Sequence, residues 1–327
     1  MKNYIIAFDI GGTRIKYGVI SLEGQMHESG VMPSYANGGT DALFRRISHF
    51  IDTTIKARGI NLSGIGLGLT GGVDQEKGVV LLPGKFKSLE QFPIVSLLRK
   101  KYNTIVFADN DGRLAAYAEQ YFGFATNKKW AVVVTIGTGI GSGVIIDGKI
   151  LHDPNLQFGT QLGHLIIDKS SERICLTGNV GTGETLCSAN ALAMQVKDAI
   201  QRGIPSILTD DYFVNPLNID FEKVIIACRD GDELCLRELD IWIQNLSILL
   251  INAVHAYAPQ IIILSGGAVL GADLFLDKVI AKVNKQVFRY PQDSPVEIVV
   301  SNIREYTGVM GAAALIMEKL KIMNRND

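Results

Sequence analysis

Asp9-Ile10-Gly11-Gly12-Thr13-Arg14-Ile15-Lys16 interrupts an apolar run with a pair of glycines. Tyr4 to Ile10 before the pair predicts a buried strand, and Arg14 to Ile20 after it a returning strand with partial alternation. The stretch is therefore a hairpin, unlike a Walker A loop, which joins a strand to a helix. Glycines at the corner let the backbone turn tightly and present N–H groups to a phosphate, and Thr13 adds a hydroxyl donor. Asp9 is placed to hold Mg²⁺ through water. Taken alone, the stretch also fits an ordinary hairpin with a glycine turn.

The pattern returns. Trp130 to Ile150 runs through Val132-Val133-Val134, turns at Gly137-Thr138-Gly139 and comes back through Val144-Ile145-Ile146. Four glycines alternate between Gly137 and Gly143, a composition that weakens a strand and marks either a bulged corner or a close approach to the backbone. A third glycine corner, Ser265-Gly266-Gly267-Ala268, follows the apolar run Gln260 to Leu264. Three such corners point to a nucleotide held between lobes.

Asp109-Asn110-Asp111 closes the predicted strand Thr104 to Asp109 and precedes a helix over Gly112 to Gln120. Strand ends of this kind carry binding and catalytic groups in open α/β sheets. Asp111 is suited to accept a hydroxyl proton while Asn110 orients the hydroxyl, the positioning that phosphoryl transfer needs. The competing reading makes Asp109 or Asp111 a helix cap.

Around these motifs, β and α signals alternate. Helical spacing appears in Asp41 to Arg58, Leu192 to Arg202, Phe221 to Arg229, Asp232 to Tyr257 and Gly308 to Leu320, and strand signals in Ile65 to Leu69 and Val296 to Val300. Asn155 to Gly183, rich in glycine and polar residues, reads as a loop-dominated substrate region. The alternation argues for α/β lobes, and 327 residues with 47% hydrophobic content fill two of them. A formal charge of −1 supplies no general field for nucleic acid or anionic lipid. No apolar run is long enough for a signal peptide or a membrane span, and four cysteines do not make a secreted disulfide framework. The expected location is the cytoplasm, with no nucleic-acid or membrane partner.

Together the motifs resemble the ROK family of bacterial sugar kinases and sugar-responsive repressors, over nearly the whole chain. Asp9 to Thr13 with Lys16 looks like the family's first phosphate motif, and Thr135 to Gly143 followed by Asp147-Gly148-Lys149 like its second. Asn110-Asp111 matches the Asn-Asp pair whose aspartate is the family's base, and Gly163-His164 and Glu184 match sugar-contacting positions. The resemblance implies a two-lobe actin-like ATPase fold of ribonuclease H-like α/β type with an interlobe cleft. It gives lobes of 1–113 plus 309–327 and of 114–308, closing over ATP and sugar. It also assigns Gly266 and Gly267 to the nucleotide, and a dimer is the favoured oligomer.

On this resemblance Asp111 is the base; Asn110, Gln161, His164 and Glu184 contact the sugar; and Asp9, Gly11, Gly12, Thr13, Lys16, Gly137, Thr138 and Gly139 serve ATP and Mg²⁺. The implied reaction is transfer of the ATP γ-phosphoryl group to a hydroxyl of a hexose, glucose first, or of an N-acetylhexosamine. Two departures bear on substrate. Gln161-Leu162-Gly163-His164 replaces a Glu-Ile/Leu-Gly-His pattern, and glutamine supplies no full negative charge. Leu81 stands where many relatives carry a sugar-binding asparagine. The family's zinc segment, Cys-x-Cys-Gly-x-x-Gly-Cys-x-Glu, appears as Cys175 to Glu184 with Thr177 and Thr182 in place of two cysteines, so no structural zinc is expected. The alternative function is a sugar-binding or regulatory protein of weak or absent turnover. A DNA-binding module is not expected, because the phosphate hairpin starts almost at Met1.

Overall fold

The computed structural model describes residues 3–34, 38–83, 87–152, 160–291 and 294–326. They fall into two compact units, one of Met1–Thr126, His152–Gly159 and Ile303–Asp327, the other of Asn127–Leu151 and Thr160–Asn302. The first begins with β1 (Asn3–Ile10), β2 (Arg14–Ser21), β3 (Met26–Pro33), α1 (Gly39–Arg58), β4 (Asn61–Leu69), β5 (Gly71–Asp74), β6 (Val79–Pro83), α2 (Ile94–Tyr102), β7 (Ile105–Asn110) and α3 (Asp111–Phe122). The second holds β8 (Ala131–Ile136), β9 (Ile140–Ile146), β10 (Lys149–Ile150), α4 (Gly183–Cys187), α5 (Ala189–Gln201), α6 (Thr209–Val214), α7 (Phe221–Arg229), α8 (Glu233–Tyr257), β11 (Ile261–Ser265), α9 (Ala272–Gln286) and β12 (Glu297–Val300). The chain then returns to the first unit as α10 (Thr307–Asn326).

The first unit is built on a five-stranded sheet ordered β3-β2-β1-β4-β7. The β1–β2 hairpin is antiparallel, Asp9 pairing with Lys16, whereas β1, β4 and β7 run parallel, with Leu69 opposite both Ile10 and Asn110. Asp9 and Asn110 therefore reach the same end of the sheet. Alternation along the strands sorts the two faces. Tyr4, Ile6, Phe8 and Ile10 share one core with Leu43, Ile47 and Ile51 of α1, where Phe8 meets Phe50 edge-on at 5.7 Å.

The opposite face explains the glycines of β4. A Cβ at Gly64 would stand 2.5 Å from Ile316, one at Gly66 2.2 Å from the Ala312 carbonyl, and one at Gly68 3.0 Å from Leu114. Ile65, Leu67 and Leu69 supply the core on the other side, so Ser63-Gly64-Ile65-Gly66-Leu67-Gly68-Leu69 is a strand with one bare face. That bare face lets α10 and α3 lie directly on the sheet.

In the second unit the sheet order is β10-β9-β8-β11-β12, again an antiparallel hairpin followed by parallel strands. Its core gathers around the long apolar α8. Trp242 is fully buried, donates Nε1–H to the Ser188 carbonyl at 3.0 Å and meets Phe275 at 5.1 Å. Asp232 caps α8 by accepting the Cys235 N–H at 2.8 Å. Thr160 to Gly183 is mostly irregular, with a 3-10 turn at Leu162–His164; residues 155–159 of the expected loop lie outside the described residues. Among the described residues, no helix is long and apolar enough to cross a membrane.

Candidate active site

In the first unit the corner after β1 closes with Gly11 N–H donating to the Arg14 carbonyl at 3.0 Å. Ser34 braces it from outside: its hydroxyl donates to the Gly12 carbonyl at 2.7 Å and its N–H to that of Thr13 at 3.0 Å. Gly11 and Gly12 are partly exposed and Thr13 stands exposed at the tip. Behind them Asp9 lies against the start of α10, where a Cβ at Gly308 would come within 2.6 Å of its carboxylate. Desolvation there, followed by the nearby charge of Asp111, pushes the Asp9 carboxyl up to about 6, with Lys16 opposing. Lys16 itself is engaged locally, its Nζ donating to the Glu305 carbonyl at 2.7 Å and lying 3.7 Å from that residue's carboxylate.

Asn110, not either aspartate, caps α3, correcting the capping alternative drawn from the sequence. Its Oδ1 accepts the Gly112 N–H at 2.9 Å, and its Nδ2 donates to the Gly71 carbonyl at 2.8 Å. The physical reason is register: Asn110 leaves β7 in an extended conformation, which swings its own side chain back over the first turn. Asp111 becomes the first helical residue, exposed, with Oδ1 held by the Gly112 N–H at 2.9 Å. Desolvation raises its pKa, with the bond from the Gly112 N–H opposing. Leu81 is half-buried on β6.

In the second unit the glycines have definite neighbours. A Cβ at Gly139 would collide with Oε2 of Glu184 at 2.2 Å, one at Gly163 with the Ile140 carbonyl at 2.5 Å, and one at Gly266 with the Ile136 carbonyl at 2.5 Å. Gly266 also has φ +91, open to glycine and strained for other residues. Gly137, Thr138, Gly139 and the Gly266-Gly267 corner are thereby brought to the same end of the β8–β11 pair. Thr138, Gly266 and Gly267 are exposed.

Glu184 sits in the first turn of α4 and accepts the Ile140 N–H at 3.4 Å. Ser142 Oγ receives the Leu162 N–H at 3.0 Å and donates to the Thr160 carbonyl, fixing the turn that carries Gln161 and His164. His164 keeps a buried Nδ1 with no hydrogen-bond partner among the described residues. A buried ring nitrogen left without a partner is costly, and a ligand hydroxyl or water would satisfy it.

The sequence matches the ROK family over residues 5–319. The chain belongs to that family. Among its ROK relatives, the glucokinase of Thermotoga maritima is 27% identical over 98% of this chain and 99% of its own length. The xylose repressor of Caldicellulosiruptor bescii is 26% identical over 97% of this chain and 78% of its own. A solved ROK glucokinase from Streptomyces griseus, in complex with glucose and AMPPNP, superposes with a TM-score of 0.79 at 22% identity, covering 95% of this chain and 98% of that one. The fold is the α/β actin-like ATPase fold.

Within the ROK frame, the segment that carries zinc cysteines elsewhere in the family is held here by hydroxyls. Thr177 Oγ1 lies 2.9 Å from Cys175 Sγ and accepts from Asn179 Nδ2 at 3.1 Å, while Thr182 Oγ1 is 3.3 Å from that of Thr185. Among the described residues, no group of three or more His, Cys, Asp or Glu side chains stands ready for a metal. Sequence reasoning weighed Asp109 only as a cap and missed its partners Arg113 and Gln75, which cluster with it directly behind Asn110. An acid and a base four residues apart across a helix start were its only signal.

Proposed function

We propose that this ROK protein transfers the γ-phosphoryl group of ATP to a hydroxyl of a monosaccharide, a hexose with glucose first or an N-acetylhexosamine. The observation that carries the reading is Asp111, an exposed carboxylate of raised pKa next to the helix-capping Asn110 and within electrostatic reach of Asp9. A carboxylate whose pKa is raised by desolvation is a stronger base than an ordinary one, which suits removal of a sugar hydroxyl proton. Asn110, Gln161, His164 and Glu184 orient the sugar; the unsatisfied His164 Nδ1 fits that role.

The residues present also fit a nucleotide with Mg²⁺. Asp9 is a carboxylate whose desolvation a cation would relieve, and both hairpin corners present exposed threonine tips beside glycine. Gly11, Gly12, Thr13 and Lys16, and Gly137, Thr138, Gly139, Gly266 and Gly267, would meet the nucleotide and its phosphates. Bound Mg²⁺ supplies charge neutralisation at the phosphates. Lys16 must then exchange Glu305 for phosphate.

An ADP-release screen over hexoses, ketohexoses and N-acetylhexosamines tests the reading. Asp111→Ala is expected to lower kcat by about 10²–10⁴-fold with folding intact; near-normal turnover would reject Asp111 as the base. The similarity to a xylose repressor and the uncharged Gln161 favour a second reading, a sugar-binding regulator without turnover. Saturable sugar binding by calorimetry with no ADP from any sugar would establish it.

A further inference from the structure

Asp109 is completely buried at the end of β7 and Arg113 almost so in the first turn of α3. Arg113 Nε donates to Asp109 Oδ1 at 2.7 Å, and its Nη2 lies 2.5 Å from the same oxygen. That oxygen also receives the backbone N–H of Asn110 at 2.7 Å. The other carboxylate oxygen accepts from Gln75 Nε2 at 2.8 Å, and Gln75 Oε1 accepts from Lys319 Nζ at 3.2 Å. Arg113 reaches on to the Val73 carbonyl at 3.5 Å, while the Asn110 side chain is tied to Gly71. One ion pair thus joins the strand end, the helix start, β5 and α10.

An interior ion pair is a poor device for stability, because removing two charges from water consumes most of the attraction between them, and apolar side chains of similar volume often replace such a pair without loss. A pair placed directly behind Asn110-Asp111 calls for another reason. Asp109 Oδ1 holds the peptide N–H of Asn110, and that peptide sets the angle at which Asn110 and Asp111 leave the sheet.

We propose that Asp109 and Arg113 are positioning residues that lock the Asn110-Asp111 corner in its reactive geometry, with Gln75 tying the lock to α10. The proposal rests on the kinase reading of Asp111. Misplacement of a reacting group by a fraction of an ångström is enough to cost rate without changing affinity for a remote part of the substrate.

The test is the apolar double variant Asp109→Leu/Arg113→Met, compared with Arg113→Lys and wild type. A positioning role predicts a Tm within a few degrees of wild type, a kcat lower by roughly 10–100-fold, and an ATP KM within about twofold. Arg113→Lys, which keeps the charge but loses the fork, should recover part of kcat. Hydrogen exchange at the Asn110 and Gly112 amides should quicken at least about tenfold while amides in β1 and β4 stay protected. Wild-type kcat together with unchanged exchange in the double variant overturns the proposal. If that variant does not fold, Asp109→Asn decides by the same kcat and exchange criteria. If the wild-type protein releases no ADP with any sugar, the kinase reading fails by itself and exchange alone decides: selective loosening at Asn110 and Gly112 upholds the lock, unchanged protection removes it.

Discussion

Asp9 shows what a desolvated carboxylate costs the fold. Its folded pKa of about 6 lies above its ordinary 3.8, so between these values the native state binds more protons than the unfolded chain. Stability from this group is therefore greatest below about pH 4 and declines as pH rises through 6. Asp9→Asn, neutral at every pH, should be more stable than wild type at pH 7.5 by about 2–3 kcal/mol, the size of such a shift, and should converge with it near pH 4. Urea unfolding at the two pH values checks this; equal stability at pH 7.5 would mean that Asp9 is not desolvated in the apo protein. The same carboxylate was legible in the sequence, because an acid ending an apolar strand before a glycine pair has few structural uses. Asp109 and Arg113 were not legible: an i, i+4 acid–base pair looks the same on a solvated helix face as in a buried lock. Gly139 falls between the two cases. Its need for close approach could be read, but its neighbour, the Glu184 carboxylate, is set by tertiary packing. Gly139→Ala should displace Glu184 and raise the sugar KM by roughly tenfold, the scale of losing one hydrogen bond to a charged group; a sugar KM equal to wild type would free Glu184 from the sugar site.

Among elements, the strands of β1, β2, β8, β9 and β11 and the helix α8 follow directly from apolar runs, glycine corners and caps. What escaped were β3, the β5–β6 hairpin, α2, the short helices α4 and α6, and α9. The eight residues of β3 alternate between half-buried and exposed, because the strand lies at the sheet edge and buries little, so its hydrophobic signal is weak. β5 and β6 form a separate two-stranded sheet whose register is set by Gly71 opposite Pro83, a pairing that local propensity does not report. The glycines of β4 were read only as part of a short apolar strand, since the reason for Gly64 and Gly66 is a helix more than two hundred residues later in the chain and that for Gly68 is Leu114 of α3. Gly66→Ala places a Cβ 2.2 Å from the Ala312 carbonyl, a backbone atom that cannot swing aside. The expected loss is about 1–3 kcal/mol, typical of overpacking, read as a lower urea midpoint at unchanged slope; an unchanged midpoint would show that α10 slides freely on β4.

The two units share one sheet plan, an antiparallel hairpin followed by parallel strands, and each closes its own core. The repeated glycine-cornered hairpin announced that plan in the sequence, while the closing helix did not announce where it belongs. α10 buries Val309, Ala312, Ala313, Leu315 and Ile316 in the unit that begins the chain, so the first unit is complete only after the second has been made. A chain ending at residue 302 would strip α10 from one face of β1, β4 and β7 and leave only α3 on it, a loss of several fully buried side chains worth about 1.5–3 kcal/mol each, comparable with the whole stability of a domain. The second unit loses none of its core residues by that cut. Limited proteolysis of such a chain should digest 3–126 rapidly while the second unit, 127–151 together with 160–302, survives protected and keeps its helical circular dichroism. Equal protection of both regions would show that the first sheet holds without its C-terminal helix, and the bare glycine face of β4 would then need another cover.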